Sequence, residues 1–240
     1  MGGNVFDGTS DFDHANIDEI LKTVNTSLDG TGIEAIPVGS AATPTPGKRS
    51  GDLDVIVDQQ AVMDYFDVTT PKDAKKMLAD YIRAKGFNVA QSGVNVHVQA
   101  PVNGSSAQVD IMVVSNAPQI AKFHTHSIPK DSPYKGLHKQ LAMYHLAKMR
   151  NHFWSAWQGL YNLNELGKKN ELVSTDLDEI AKILLGNNAN ANDLGSYETI
   201  AAKLNPQDTK DLQSRLDQDA NWNKVREDAD LLRIKELARL

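Results

Sequence analysis

The sequence predicts an α/β chain: a short mixed β-sheet with flanking helices in the N-terminal half, then an all-helical C-terminal domain. Three observations carry this expectation. Residues 33–58 read as a strand, a Gly39-Ser40 turn, a loop, and a second strand Asp52-Leu53-Asp54-Val55-Ile56-Val57-Asp58. On either side, residues 14–28 and 71–85 place apolar residues at helical spacing. From residue 160 onward the pattern is helical and more polar. The expected domains are 1–126 and 127–240.

The elements follow in order. Residues 1–12, rich in Gly, Asp and Ser, read as a lead segment. The first helix repeats Ile17, Ile20, Leu21, Val24 and Leu28, with Asp13 suited to its N-cap and Asp29-Gly-Thr-Gly32 ending it. A strand from Ile33 to Val38 leads into Gly39-Ser40. After Asp58 a linker is expected, then a helix opened by Thr70-Pro71 and stopped at Gly86. Phe87–Ala90 and Val94–Val98 suggest a hairpin around Gln91-Ser-Gly93. Asn103-Gly-Ser-Ser106 turns into an apolar strand, Ala107–Val114, with Asp110 at its centre. A long helix is expected next, running to about Gly159, then helices over 175–185, 196–204, 206–217 and 222–240.

Parity within the strands singles out the acids. Side chains alternate faces along a strand, so Asp52 and Asp54 share one face while Leu53 and Val55 take the other. In the later strand Val109, Ile111 and Val113 share a face, and Gln108, Asp110 and Met112 the opposite one. An acid in such an apolar run is costly to bury without a partner. Neighbouring carboxylates repel each other unless a cation neutralises them, and hard divalent ions that take oxygen ligands do so. Asp-x-Asp alone is common, so the pattern gains force from the turn before it and the acid after it. Glycine permits a tight turn and close approach of a ligand, and exposed backbone N–H groups with a serine hydroxyl suit a phosphate.

Bulk properties exclude several classes. The 240 residues are 40% apolar and 23% charged, an ordinary balance for folded domains. A net charge of −6 does not suggest a general nucleic-acid binder. There is no cysteine, hence no disulfide, zinc–cysteine site or thiol nucleophile. The N-terminus lacks a basic start and an apolar core, so no signal peptide is expected, and no run is long enough for a transmembrane helix. No membrane association is expected, and a cytoplasmic location is the default.

Gly39-Ser40, eleven intervening residues, Asp52-x-Asp54 flanked by apolar residues, and a distant Asp110 together resemble the polymerase-β-like nucleotidyltransferase superfamily. The lead-in Lys48-Arg49-Ser50-Gly51 is similar to that of its class I members, such as archaeal-type CCA-adding enzymes and oligoadenylate or cyclic-dinucleotide synthases. The resemblance spans roughly residues 15–125 and implies a catalytic domain over 1–126. It implies transfer of a nucleoside monophosphate from an NTP such as ATP to a hydroxyl, with release of pyrophosphate. It further implies Mg²⁺ or Mn²⁺ as cofactor, held by Asp52, Asp54 and Asp110 in a two-metal site. Asp110 would also accept the proton, and Gly39 and Ser40 would contact the triphosphate.

Two other features deserve weighing against plainer readings. His124 and His126 bracket Thr125, but with no acid or cysteine beside them a loop feature is the simpler expectation. Lys130, Lys135 and Lys139, with His138, cluster where the long helix should begin. Cations there oppose the helix dipole unless they meet an anion, so Lys135 and Lys139 are candidate phosphate contacts. The acceptor stays open: RNA or a tRNA 3′ end, DNA, a second nucleotide, a small molecule or a protein. A catalytically inactive nucleotide-binding, regulatory or interaction protein of the same fold is the alternative.

Overall fold

The computed structural model describes residues 5–45, 47–125, 132, 134 and 136–224. The chain divides into two compact units, 1–121 and 122–240. The division falls within one helix, Ala117–Thr125.

In the first unit, β1 (Phe12–Asp13) leads through a single 3-10 turn into α1 (Ile17–Leu28). Asp13 accepts a hydrogen bond from Ala15 N and so caps this turn. Ile17, Ile20, Val24 and Leu28 are buried, one stripe of a helix that lies over the sheet. β2 (Ile36–Pro37) is much shorter than the expected 33–38 strand, and Pro37 fits its edge position. Then come β3 (Arg49–Ser50) and β4 (Asp52–Asp58).

The expected linker after β4 is instead a helix, α2 (Gln59–Phe66), followed by α3 (Pro71–Ala84). Asp58 makes the difference, because its carboxylate accepts from Gln60 N and Ala61 N and caps α2 at its first residue. Its other oxygen accepts from Ala117 N at the start of a later helix. The hairpin is present as β5 (Asn88–Ser92) and β6 (Asn95–Val102), and β7 (Ser105–Val114) completes the sheet.

The sheet is five-stranded and mixed, in the order β2-β4-β7-β6-β5. β4 and β7 run parallel, and the other neighbours are antiparallel. The β4–β7 register sets Asp54 opposite Asp110 and Asp52 opposite Gln108. The β6–β7 register continues that row by placing His97 opposite Asp110. One face, carrying Leu53, Val55, Val57, Val96, Val98, Val109 and Ile111, packs against α1 and α3 residues in a continuous core. The polar residues of β4, β6 and β7 lie on the other face.

Downstream, α4 is the Ala117–Thr125 helix and α5 spans Gly136–Met149. The helix α5 does not continue to the expected Gly159, and the second domain is not all-helical as expected. Asn151 takes a left-handed conformation (φ 59°) just past α5. The chain then forms β8 (His152–Ser155), β9 (Gly159–Leu163) and β10 (Lys169–Ser174) as an antiparallel sheet, order β10-β9-β8. Position 159 must be glycine: it has φ 98°, and a Cβ there would collide with the Ser174 carbonyl oxygen. Phe153 and Trp157 extend the helical spacing of α5, which is why the strand signal is masked. β10 is mostly exposed and offers no clean apolar alternation.

The remaining expected helices are present as α6 (Leu177–Leu185), α7 (Tyr197–Lys203) and α8 (Pro206–Asp217), capped by Asp176, Ser196 and Asn205. Of the expected 222–240 helix, the described part is helical and the rest lies outside the described residues. This unit's core is rich in aromatics and leucine, with Phe123, Trp154, Leu160, Leu184, Leu216 and Trp222 buried.

Candidate metal centre

Three carboxylates converge on the polar face of the five-stranded sheet. Asp52, Asp54 and Asp110 each offer an oxygen, and these oxygens lie within 4.8 Å of one another. The register explains the convergence. Parity puts Asp52 and Asp54 on one face of β4, and the parallel partner strand brings Asp110 alongside Asp54. Among the described residues this is the only cluster of three or more metal-ligating side chains so placed.

The electrostatics of the three differ. Burial, and then the charges of Asp52 and Asp110, push the Asp54 carboxyl up to about 7. Burial, and then Asp110, also raise Asp52. Asp110 is buried, 7% exposed, and well supplied with donors. Its Oδ1 accepts from Gln108 Nε2 (2.8 Å) and pairs with His97 Nδ1 (2.7 Å). Its Oδ2 has only a long contact, 3.4 Å, from Asn95 Nδ2. The far side of the His97 ring pairs with Ser92 Oγ at 2.7 Å. Among the described residues His97 is the one basic side chain paired with any of the three acids.

A divalent cation fits this donor set. Three hard oxygen ligands meet, and their mutual repulsion, expressed in the raised Asp54 pKa, has no lysine or arginine to relieve it among the described residues.

The Gly39-Ser40 turn belongs to the same place. Val38 N donates to the Asp54 carbonyl oxygen (3.0 Å), which ties the end of β2 to the acid strand. Gly39 follows with φ 59°, at the head of a short 3-10 turn over Gly39–Ala41. A Cβ at position 39 would stand 3.6 Å from Asp54 Oδ2, so the glycine backbone runs right beside the carboxylate. Ser40 Oγ lies 3.3 Å from Ser50 Oγ.

Lys135 lies outside the described residues, as do Lys130 and His126. Lys139 belongs to the second unit, where its buried ammonium donates to the Phe123 carbonyl and sits 4.2 Å from the centre of the Phe123 ring. Burial lowers its pKa to about 8. His124 is helical rather than a loop residue. It pairs with the Ala156 carbonyl (3.0 Å) and stacks on Trp157 (4.1 Å, 6° between planes).

Sequence reasoning missed the supporting residues. Asn95 and His97 show only as the polar half of an alternating hairpin strand, and Gln108 only as a face-mate of Asp110. The signal for them is parity carried across two strand pairings. His14 gave no signal at all, because its partner Ser50 is distant in sequence.

No protein-family model matches the chain, and no curated protein matches it. Among solved structures it is similar to two of the Leishmania infantum polymerase beta. The first is a ternary P/T complex: TM-score 0.46, 17% identity, 77% of this chain and 76% of that one. The second is a ternary gap complex: TM-score 0.45, 17% identity, 85% of this chain and 66% of that one. The carboxylate geometry described above stands independently of that likeness.

Proposed function

We propose that the chain is a metal-dependent nucleotidyltransferase, moving a nucleoside monophosphate from an NTP to a hydroxyl acceptor with release of pyrophosphate. The observation that carries this reading is the convergence of Asp52, Asp54 and Asp110 beside the Gly39-Ser40 turn. The motif resemblance, with its spacing, supports it.

Asp52, Asp54 and Asp110 would hold Mg²⁺ or Mn²⁺. When bound, such ions neutralise triphosphate charge and lower the pKa of an attacking hydroxyl. The chain's own residues do the positioning. Gly39 leaves room for a phosphate beside Asp54, and Ser40 Oγ supplies a hydroxyl donor at that turn. His97 and Gln108 fix Asp110 through Oδ1, which leaves Oδ2, with its long 3.4 Å contact from Asn95, as the oxygen to meet a ligand or take the acceptor's proton. Lys135 is retained as a proposed phosphate contact, and unchanged nucleotide affinity in Lys135→Ala would remove it.

The deciding experiment offers each of four α-phosphate-labelled NTPs, with Mg²⁺ or Mn²⁺, to total RNA, a DNA oligonucleotide and the protein alone. Label transferred by the wild type and lost in Asp54→Ala is the expected result, and it identifies the acceptor class. Metal-dependent NTP binding without transfer to any acceptor would favour a nucleotide-binding or regulatory role. Neither transfer nor binding would overturn the reading.

A further inference from the structure

Beneath the Gly39-Ser40 turn runs a short chain of hydrogen bonds whose direction is set at its His14 end. His14 is buried, 2% exposed, where β1 enters α1. Thr45 N donates to His14 Nδ1 at 3.1 Å. A backbone N–H can only donate, so Nδ1 carries no proton. The neutral ring therefore bears its proton on Nε2, and Nε2 donates to Ser50 Oγ at 2.8 Å. Ser50 must then place its own proton elsewhere. Among the described residues the acceptor within reach is Ser40 Oγ, at 3.3 Å. With Ser50 Oγ donating across this step, Ser40 Oγ accepts a hydrogen bond from within the protein and keeps its own hydroxyl proton unspent.

Burial, and then the charge of Lys48, lower the His14 pKa, consistent with a neutral ring. The clasp of β1 on β3 holds the chain in place. Phe12 pairs with Ser50 and Asp13 with Arg49, His14 N donates to the Lys48 carbonyl, and the Arg49 guanidinium reaches the Asp11 carbonyl.

From this geometry we infer that His14 and Ser50 are positioning residues that turn Ser40 into a committed hydrogen-bond donor towards a nucleotide's phosphate oxygens. The inference rests on the nucleotidyltransferase reading and adds the residues that set the polarity of its phosphate-binding turn. An unsupported serine hydroxyl rotates freely and can accept as readily as donate. A hydroxyl that already accepts from Ser50 presents its proton outward, so an anion is favoured over water before it arrives. The 3.3 Å step is long for two hydroxyls, and it shortens as Ser40 becomes a better acceptor on donating to phosphate.

The test uses the full chain with Mg²⁺ and compares α,β-imido ATP with AMP by calorimetry, with the other three bases as analogues if ATP is not preferred. Ser50→Ala should weaken the triphosphate analogue by about threefold to tenfold and leave AMP unchanged. Ser50→Thr, which keeps the hydroxyl, should restore wild-type affinity. In a Ser40→Ala background, Ser50→Ala should add nothing. His14→Phe, which fills the space but cannot donate, should repeat the Ser50→Ala loss, and the Ser50 variants decide the matter if it does not fold. Equal losses for AMP and triphosphate, full additivity with Ser40→Ala, or wild-type affinity in Ser50→Ala would each overturn the inference. Wild-type protein that binds none of the four triphosphates would overturn the nucleotidyltransferase reading itself, a different failure.

Discussion

β4 and β7 lie side by side and each brings acid to one point, yet they hold it in opposite ways. Asp110 on β7 is enclosed by donors from His97, Gln108 and Asn95. Asp54 on β4 accepts no hydrogen bond from any described side chain and is crowded by Asp52 and Asp110, with its pKa raised to about 7. The first carboxylate is oriented by the fold and the second is penalised by it. On the proposed metal-binding reading, such a centre would keep one ligand rigid and leave the other dependent on an incoming cation.

The largest expected effect removes the penalised side. Asp54→Ala should abolish transfer, by about 10³-fold or more in kcat, because the missing ligand acts together with the other two. The same variant should melt no lower than wild type without metal, since an unfavourable buried charge goes with it. Transfer above a tenth of wild type would place the chemistry elsewhere. Next in size, His97→Phe frees Asp110 without removing a ligand. Activity or metal affinity should fall about 10-fold to 100-fold, as measured by turnover and Mn²⁺ titration. Third, Asp110→Ala should destabilise the metal-free protein by about 1–3 kcal/mol in urea unfolding, because His97 and Gln108 then lose their buried acceptor. Opposite stability effects of Asp54→Ala and Asp110→Ala would sharpen the contrast, and equal effects would break it.

The pH dependence carries the same contrast. The folded-state pKa of Asp54, about 7, lies above the ordinary 3.8. Its contribution to stability is therefore present below about pH 4 and lost as pH rises towards 7. Relative to Asp54→Asn, the metal-free wild type should lose about 1–3 kcal/mol across that window, read as melting temperature against pH. Saturating Mg²⁺ should reverse the difference above pH 7. Smallest of all, Gly39→Ala should cost about 1 kcal/mol for its positive φ and weaken triphosphate binding modestly.

How much of this was legible in the sequence follows from the range of each interaction. Parity within a strand is local, so Asp52, Asp54 and the facing of Asp110 could be read directly. Cap residues are local too, and Thr70-Pro71 and Asn205-Pro206 mark α3 and α8 plainly. The register that sets Asp54 beside Asp110 and His97 is not local, and neither is the clasp between β1 and β3. His14 and His97 therefore stayed hidden while the acids did not. In the second unit the spacing of Phe153 and Trp157 imitates a helix, and the strands show only in the structure, where Asn151 is left-handed and Gly159 crowds the Ser174 carbonyl.

The parallel pairing of β4 with β7 has a consequence for how the molecule is made. Between them the chain completes α2, α3 and the β5–β6 hairpin. Hairpins and helices close small loops quickly, whereas a parallel partner separated by that much chain closes late. The cation affinity proposed for these acids should thus emerge only in the last stage of refolding, after helical signal has recovered. A nascent or misregistered chain would bind the ion poorly, because a one-residue slip of β7 turns Asp110 into the core. The ion would then act as an inspector of finished molecules, rewarding one alignment of the sheet over its neighbours.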